Sequence, residues 1–182
     1  MKLHPTLWRT CRVVANKTRL RLLWHIFKDG ELCVNQLVQQ TNTTRPNASQ
    51  QLRALNARGL ITPRREKTKV IYRAEANSGV DFAPELLEAL RKCHERSMPF
   101  KTVIRQATAF THERRIKIVR ALNGKALSID GLRDATGISP AALSRHLEKL
   151  EVRGFIKRTD KTYRLARPGN LLGRTLIKIA RS

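Results

Sequence analysis

The 182-residue chain repeats itself, and that limits its fold to something a unit of about 90 residues can form and two copies can share. Ala15 to Ile61 reads ANKTRLRLLWHIFKDGELCVNQLVQQTNTTRPNASQQLRALNARGLI. Thr111 to Ile156 reads THERRIKIVRALNGKALSIDGLRDATGISPAALSRHLEKLEVRGFI. Arg19-Leu20-Arg21-Leu22-Leu23 matches Arg115-Ile116-Lys117-Ile118-Val119. Leu32, Leu37, Thr41, Leu52, Leu55, Gly59 and Ile61 match Leu127, Leu132, Thr136, Leu147, Leu150, Gly154 and Ile156. The offset is 96 before the Lys28-Asp29-Gly30 turn and 95 after it, so one residue is missing from a loop, where loss is cheap. The likeness extends outward. Pro5 to Val14 corresponds to Lys101 to Phe110, and the amphipathic stretch Asp81 to Met98 corresponds to Asn170 to Ser182. Pro99 marks a boundary, giving units 1–98 and 99–182.

Within a unit the periods define the elements. Leu20, Leu23, Trp24 and Phe27 mark one helix, ended by Asp29-Gly30; Val34, Leu37 and Val38 mark a second, short one. A third runs from Arg45 to Arg58, with Ala48, Leu52 and Leu55 inward and Gly59 closing it. Its twin has Leu143, Leu147 and Leu150 inward and Gly154 at its end. Thr44 and Ser139 stand at the N-caps, each followed by proline in the first turn. A hairpin follows in each unit. The first has Leu60 to Thr62, a basic tip from Arg64 to Lys69, then Val70 to Tyr72; the second has its tip at Thr159-Asp160-Lys161. The expected fold class is mainly α with small β-hairpin wings (α+β). Its architecture is tandem winged helix-turn-helix domains, with an intramolecular pseudo-dimer as one arrangement.

Charge narrows the function. Thirty-seven Lys and Arg face fourteen Asp and Glu, a net +23 with a pI near 11.4. General solubility requires no such excess; a polyanion partner does. Residues 1–97 hold 18 basic and 8 acidic side chains and residues 98–182 hold 19 and 6, so both halves are basic. Neither carries a run of five like charges, which argues against a disordered basic arm. No Gly-rich phosphate loop follows a strand, and neither a His-Glu-x-x-His pattern nor a nucleophile motif occurs, so an enzyme is not expected. The start MKLHPTLWRTCRVV is too polar for a signal sequence, no apolar window of about 18 residues spans a membrane, and three widely spaced cysteines suit a reducing cytosol. A cytoplasmic, nucleoid-associated location is expected.

The stretches VVANKTRLRLLWHI, GELCVNQL and NASQQLRALNARGLI resemble the ArsR-like family of winged-helix transcriptional repressors, and the second copy, with LSRHLEKL at Leu143 to Leu150, resembles it equally. The resemblance implies double-stranded DNA as partner and repression as the mode of regulation. Family members are usually homodimers of one unit, so a monomeric pseudo-dimer or a homodimer is expected here. Metal-sensing relatives carry Cys-x-Cys followed by an acid in this box. Here the positions are Cys33, Asn35 and Gln36, one thiol with two poor ligands for a thiophilic ion. Cys33 is also readable as a small core residue, its counterpart being Ser128. A thiol site joining Cys11, Cys33 and Cys93 stays open. Cys93-His94-Glu95 lies on the helix that dimerises in the family and holds zinc in some members, but adjacent helical residues diverge and the matching IKIARS has no ligand. His4, His25, His112 and His146 are scattered. No metal ligand set and no cofactor is expected.

The third helix of each unit should enter a major groove. The outward positions are Thr44, Arg45, Asn47, Ser49, Gln50, Gln51 and Arg53 in the first, and Ser139, Ala141, Ser144, Arg145, His146 and Lys149 in the second. Gln and Asn pair bidentately with adenine and Arg with guanine, while Ser and Ala permit close approach. The plainer alternative is a solvated face. In the wings, Arg64, Arg65, Lys67, Lys69, Arg158 and Lys161 are expected on phosphate or in the minor groove. A sequence-specific regulator with two non-identical reading helices fits best. A low-specificity architectural DNA binder is the alternative, and a protein-docking module is disfavoured by the charge of the second half.

Overall fold

A computed structural model describes residues 5–182; Met1 to His4, which belong to the start read above for a signal sequence and include one of the scattered histidines, lie outside the described residues. The first half contains α1 (Leu7–Val14), α2 (Lys17–Asp29), β1 (Leu32–Cys33), α3 (Val34–Thr41), α4 (Arg45–Asn56), β2 (Thr62–Glu66), β3 (Lys69–Arg73) and α5 (Ala83–Glu95). The second contains α6 (Phe100–Ala109), α7 (Glu113–Ala121), β4 (Leu127–Ser128), α8 (Ile129–Thr136), α9 (Pro140–Val152), β5 (Ile156–Thr159), β6 (Thr162–Leu165) and α10 (Leu171–Arg181). The order of elements is the same in both halves, and so is the order of strands, β1-β3-β2 and β4-β6-β5, all antiparallel. The fold is thus mainly helical with two small sheets.

Two features go beyond the expected elements. Leu32 and Cys33 lie just before the helix that Val34, Leu37 and Val38 mark. They form a two-residue strand opposite Tyr72 and Ile71, as Leu127 and Ser128 do opposite Tyr163 and Thr162. The cause is local: Cys33 and Ser128 are the N-caps of α3 and α8, an N-cap needs extended backbone, and that extension places the preceding leucine against the sheet. The hairpins are also tighter than expected. Arg64 and Arg65 lie within β2, leaving only Lys67-Thr68 at the first tip and Asp160-Lys161 at the second, with Lys67 and Asp160 in left-handed backbone at φ 51°.

One contiguous apolar core runs through both halves. Helix α10 packs on α5, and α1 on α6. Helix α10 buries Leu172, Leu176, Ile177, Ile179 and Ala180, while α5 buries Leu86, Leu87, Ala89, Leu90 and Cys93. Each buried Leu or Ile contributes about 1.5–3 kcal/mol, so this seam outweighs the polar contacts at its rim. Those contacts are an ion pair from Lys178 to Glu85 at 2.9 Å and a hydrogen bond that Arg12 Nε donates to the Thr111 carbonyl at 3.0 Å. Deeper in the second half, Phe110 and Phe155 meet edge to face, centroids 4.8 Å apart.

An arginine with the same role repeats in each half, half-buried at Arg19 and buried at Arg115. Arg19 donates to the carbonyls of Val13 and Arg12, the end of α1. Arg115 donates to Ala109 at 2.6 Å and Thr108 at 3.0 Å, the end of α6. Helix C-termini leave carbonyls unpaired and carry partial negative charge, so a guanidinium satisfies both needs at once. It also ties α2 to α1 and α7 to α6.

Gly173 supplies a direct test of the packing of α10. A Cβ there would lie 2.6 Å from the Pro168 Cβ. Gly173→Ala, which on helix propensity alone would gain up to about 1 kcal/mol, should instead lower stability by about 1–3 kcal/mol in urea unfolding. A stabilised variant would show that this close approach does not exist.

Candidate nucleic-acid interface

Helices α4 and α9 each present one polar face to solvent and one apolar face to the core. In α4 the Thr44 hydroxyl accepts the Asn47 N–H at 3.4 Å, and Pro46 sits in the first turn, where no backbone donor is lost. Thr44, Arg45, Gln50 and Arg53 are exposed; Asn47, Ser49 and Gln51 are half-buried. In α9, Ser139, Ala141, Ser144, Arg145 and Lys149 are exposed. Ser139 holds the N-cap position, but its hydroxyl accepts no capping bond.

Three expected outward residues turn inward. The Gln51 carbonyl oxygen accepts Arg19 Nη1 at 2.7 Å, and its amide donates to Asn47 Oδ1 at 2.9 Å; Asn47 in turn donates to Thr43 Oγ1 at 2.9 Å. These amides are engaged within the protein. His146, the counterpart of Gln51, is only 9% exposed and cannot lie on an outward face. Leu143, His146, Leu147 and Leu150 form a single stripe at helical spacing, and the sequence reading took only the leucines as inward.

The His146 ring rests 4.6 Å from that of His112. His112 is the N-cap of α7, its Nδ1 accepting the Arg114 N–H at 3.1 Å. Burial first, then the neighbouring His112, Arg115, Arg114 and Lys149, push the His146 pKa down to about 4. Burial and the adjacent arginines lower that of His112 as well, against a small opposing pull from Glu113. Both rings are neutral near pH 7. Sequence reasoning passed over His112 because a lone histidine before a helix carries no motif; an N-cap position beside the α9 stripe was the usable signal.

The wing residues Arg64, Arg65, Lys67, Lys69, Arg158 and Lys161 are all exposed. Arg64 pairs with Glu31 at 3.1 Å and Glu66 at 3.7 Å, and Glu31 also holds Arg73 at 2.7 Å. Exposed pairs contribute about 0–1 kcal/mol, too little to withhold Arg64 from a phosphate. Arg158 lies over the Tyr163 ring at 5.8 Å. Arg65, Lys67, Lys69 and Lys161 form no ion pair among the described residues.

The three thiols do different work. Cys11 and Cys93 are buried, which raises both thiol pKa values, that of Cys93 to about 11, and so disfavours the thiolate a soft metal binds. Cys33 is not a core residue: it is half-buried and caps α3, with the Gln36 side chain returning to its backbone N–H at 2.8 Å. His94 packs on Trp24 and Phe27. Among the described residues no group of three His, Cys, Asp or Glu converges on one point.

Comparison with known proteins places relatives on both halves. Residues 16–62 match the model described as bacterial regulatory protein, arsR family, a span from the N-cap of α2 to the start of β2. Residues 105–181 match a model described as the HVO_A0261 N-terminal domain. The chain is also similar to the HTH-type transcriptional regulator KmtR of Mycobacterium tuberculosis, 38% identical over 64 residues, or 35% of this chain and 48% of that protein. The chain therefore spans about half the length of this curated relative. No helix among the described residues is long and apolar enough to cross a membrane.

The buried His146 sets a pH dependence of folding. Its pKa is lower folded than the ordinary value of about 6.5 in an unfolded chain, so below that value the unfolded state binds the extra proton. Stability should fall as pH drops from about 6.5 toward about 4. The variant His146→Gln, measured by urea unfolding across that range, should show a shallower loss. An unchanged slope would mean that the ring already takes up a proton when folded.

Proposed function

We propose that the chain is a sequence-specific, double-stranded DNA-binding transcriptional regulator, acting as a repressor, which reads DNA with α4 and α9. One observation carries this reading: a net +23 chain presents two exposed polar helix faces, each followed by a basic hairpin. The arsR-family match over residues 16–62 supports it, since that span holds α4. Units 1–98 and 99–182 act as tandem winged helix-turn-helix domains, and the α5–α10 seam makes the single chain a pseudo-dimer. Base reading falls to Arg45, Gln50 and Arg53 in α4 and to Ser144 and Arg145 in α9, with Thr44, Ser49, Ser139 and Ala141 at close-approach positions and Lys149 turned to the DNA backbone. Gln50 opposite Arg145 favours an asymmetric site, because the two side chains suit different bases. The wing cations Arg64, Arg65, Lys67, Lys69, Arg158 and Lys161 grip phosphate. Chemistry on a substrate has no part in this role.

A second reading, a low-specificity architectural DNA binder, draws on the nearly equal basic charge of the halves. Selection on random duplex DNA separates the two: a regulator binds its chosen site about 10³-fold or more above random sequence, an architectural protein does not. In the selected site, Gln50→Ala and Arg145→Ala should each cost about 1–3 kcal/mol and relax preference at different base positions. Arg65→Ala and Lys161→Ala should weaken all sequences alike and reduce the salt slope by about 1 each. With about 6–10 phosphates neutralised, affinity should fall about 10³–10⁵-fold between 50 and 200 mM salt. A flat salt response ends the nucleic-acid reading, and a perfectly palindromic selected site ends the assignment of both half-sites to one chain.

A further inference from the structure

We propose that the pocket formed by His112, Arg114, Ala142, Arg145, His146 and Lys149 is a phosphate-group site that takes a backbone phosphate of bound DNA. The pocket has a volume of about 230 Å³ and opens between the N-terminus of α7 and the exposed face of α9. Three cations, Arg114, Arg145 and Lys149, reach it, and none has a carboxylate partner among the described residues; Arg114 and Lys149 serve the phosphate, while Arg145 at the rim keeps its head for a base edge. His146 lines it while more than nine-tenths buried, and its Nδ1 finds no hydrogen-bond partner. An unpartnered buried nitrogen costs about 1–3 kcal/mol, so a site that keeps one needs a compensating ligand. The N-terminal amides of α7 add a favourable dipole for an anion.

The first half shows that the scaffold does not demand this arrangement. At the matching positions stand Asn16, Thr18, Asn47, Gln50, Gln51 and Ala54, with no charge among them. There Asn47 fills the space and bonds Gln51; in the second half the small Ala142 leaves it open. The three cations and the two imidazoles therefore belong to the second half.

A phosphate beside two neutral imidazoles draws protons onto them. The charged groups facing the pair are Arg114, Arg115 and the lone carboxylate Glu113 on α7, Arg145 and Lys149 on α9, and Arg12 on α1. Burial first, then the cations, hold the free pair neutral; Glu113 opposes them weakly and a bound anion opposes them more. The complex then carries more protons than the free protein, so affinity rises as pH falls, by up to about tenfold per pH unit for one proton taken up. The gain ends near pH 4, where free His146 is itself protonated.

The DNA part rests on the function proposed above, and two ligand sources are tested on the whole chain. Inorganic phosphate should shift the imidazole NMR signals of His112 and His146 and raise their titration midpoints. A duplex of random sequence should do the same and bind more tightly as pH falls from about 8 to 5. The variants His112→Asn, His146→Gln and Lys149→Ala carry the first-half residues; each should flatten that pH profile and leave the thermal transition cooperative. Phosphate and duplex both leaving the histidine signals unmoved overturns the site. Phosphate shifting them while the duplex binds without doing so overturns the backbone assignment. No duplex binding at all, with phosphate still shifting the pair, supports the phosphate site and overturns the DNA-binding function. The signals are read on the unsubstituted protein, so a variant that fails to fold does not shield the proposal.

Discussion

The seam where α10 lies on α5 is the constraint on which the rest depends. Within its own half α10 rests on α7 and α6, and α5 on α2, but the two helices close their remaining apolar surface on each other, and each holds about five fully or nearly buried aliphatic side chains. The loss of that contact would expose more apolar surface than the Lys178–Glu85 pair and the Arg12–Thr111 bond offset. Because both faces belong to one chain, the partner is always present, and the contact does not depend on protein concentration. The positions of α4 and α9 follow from it, since each is carried by the same core.

A shared scaffold with a permanent partner frees the two halves to differ. Arg19 and Arg115 do the same job at the ends of α1 and α6, and Cys33 and Ser128 the same job at the starts of α3 and α8. Around those fixed points the chemistry diverges. Asn47 and Gln51 make a neutral amide pair held by the guanidinium of Arg19, whose backbone N–H is capped by Asn16. His112, Ala142 and His146 make an open, cation-rimmed pocket beside Arg115. In a symmetric homodimer one gene would impose one chemistry on both sides; here each side carries its own.

The sequence was most legible where one physical rule dominated. Apolar spacing located the helices to within a few residues, and the internal offset paired them without any structure. It was least legible where a residue obeyed two rules at once. Gln51 and His146 have polar side chains at inward positions, and composition pointed them outward while helical period pointed them in. Period won: Arg19 gives Gln51 a polar partner, while His146 packs its ring on His112 and leaves its Nδ1 unpartnered. The strands β1 and β4 escaped notice because two residues carry no period at all; only pairing with the hairpin reveals them. Arg64 and Arg65 read as a loop because charge suggested a tip, yet an edge strand tolerates exposed charge and uses it against further pairing.

Cys33 shows how a family likeness and a physical role come apart. Its sulfur sits where metal-sensing relatives would place a ligand, but the first need at that position is an acceptor for the free N–H groups of α3. Ser128 meets the same need in the second half with a hydroxyl that accepts the Gly131 N–H at 3.1 Å. Gln36, one of the two poor ligands that weakened the metal reading, completes the cap by returning to the Cys33 backbone at 2.8 Å. Glu31, two residues before Cys33, is spent on Arg64 and Arg73 of the wing. The polar groups of Gln36 and Glu31 therefore already serve the fold, and only the poor ligand Asn35 is left beside the thiol. A metal would have to displace a helix cap and a wing ion pair to gather ligands there, while the other two thiols stay buried and protonated.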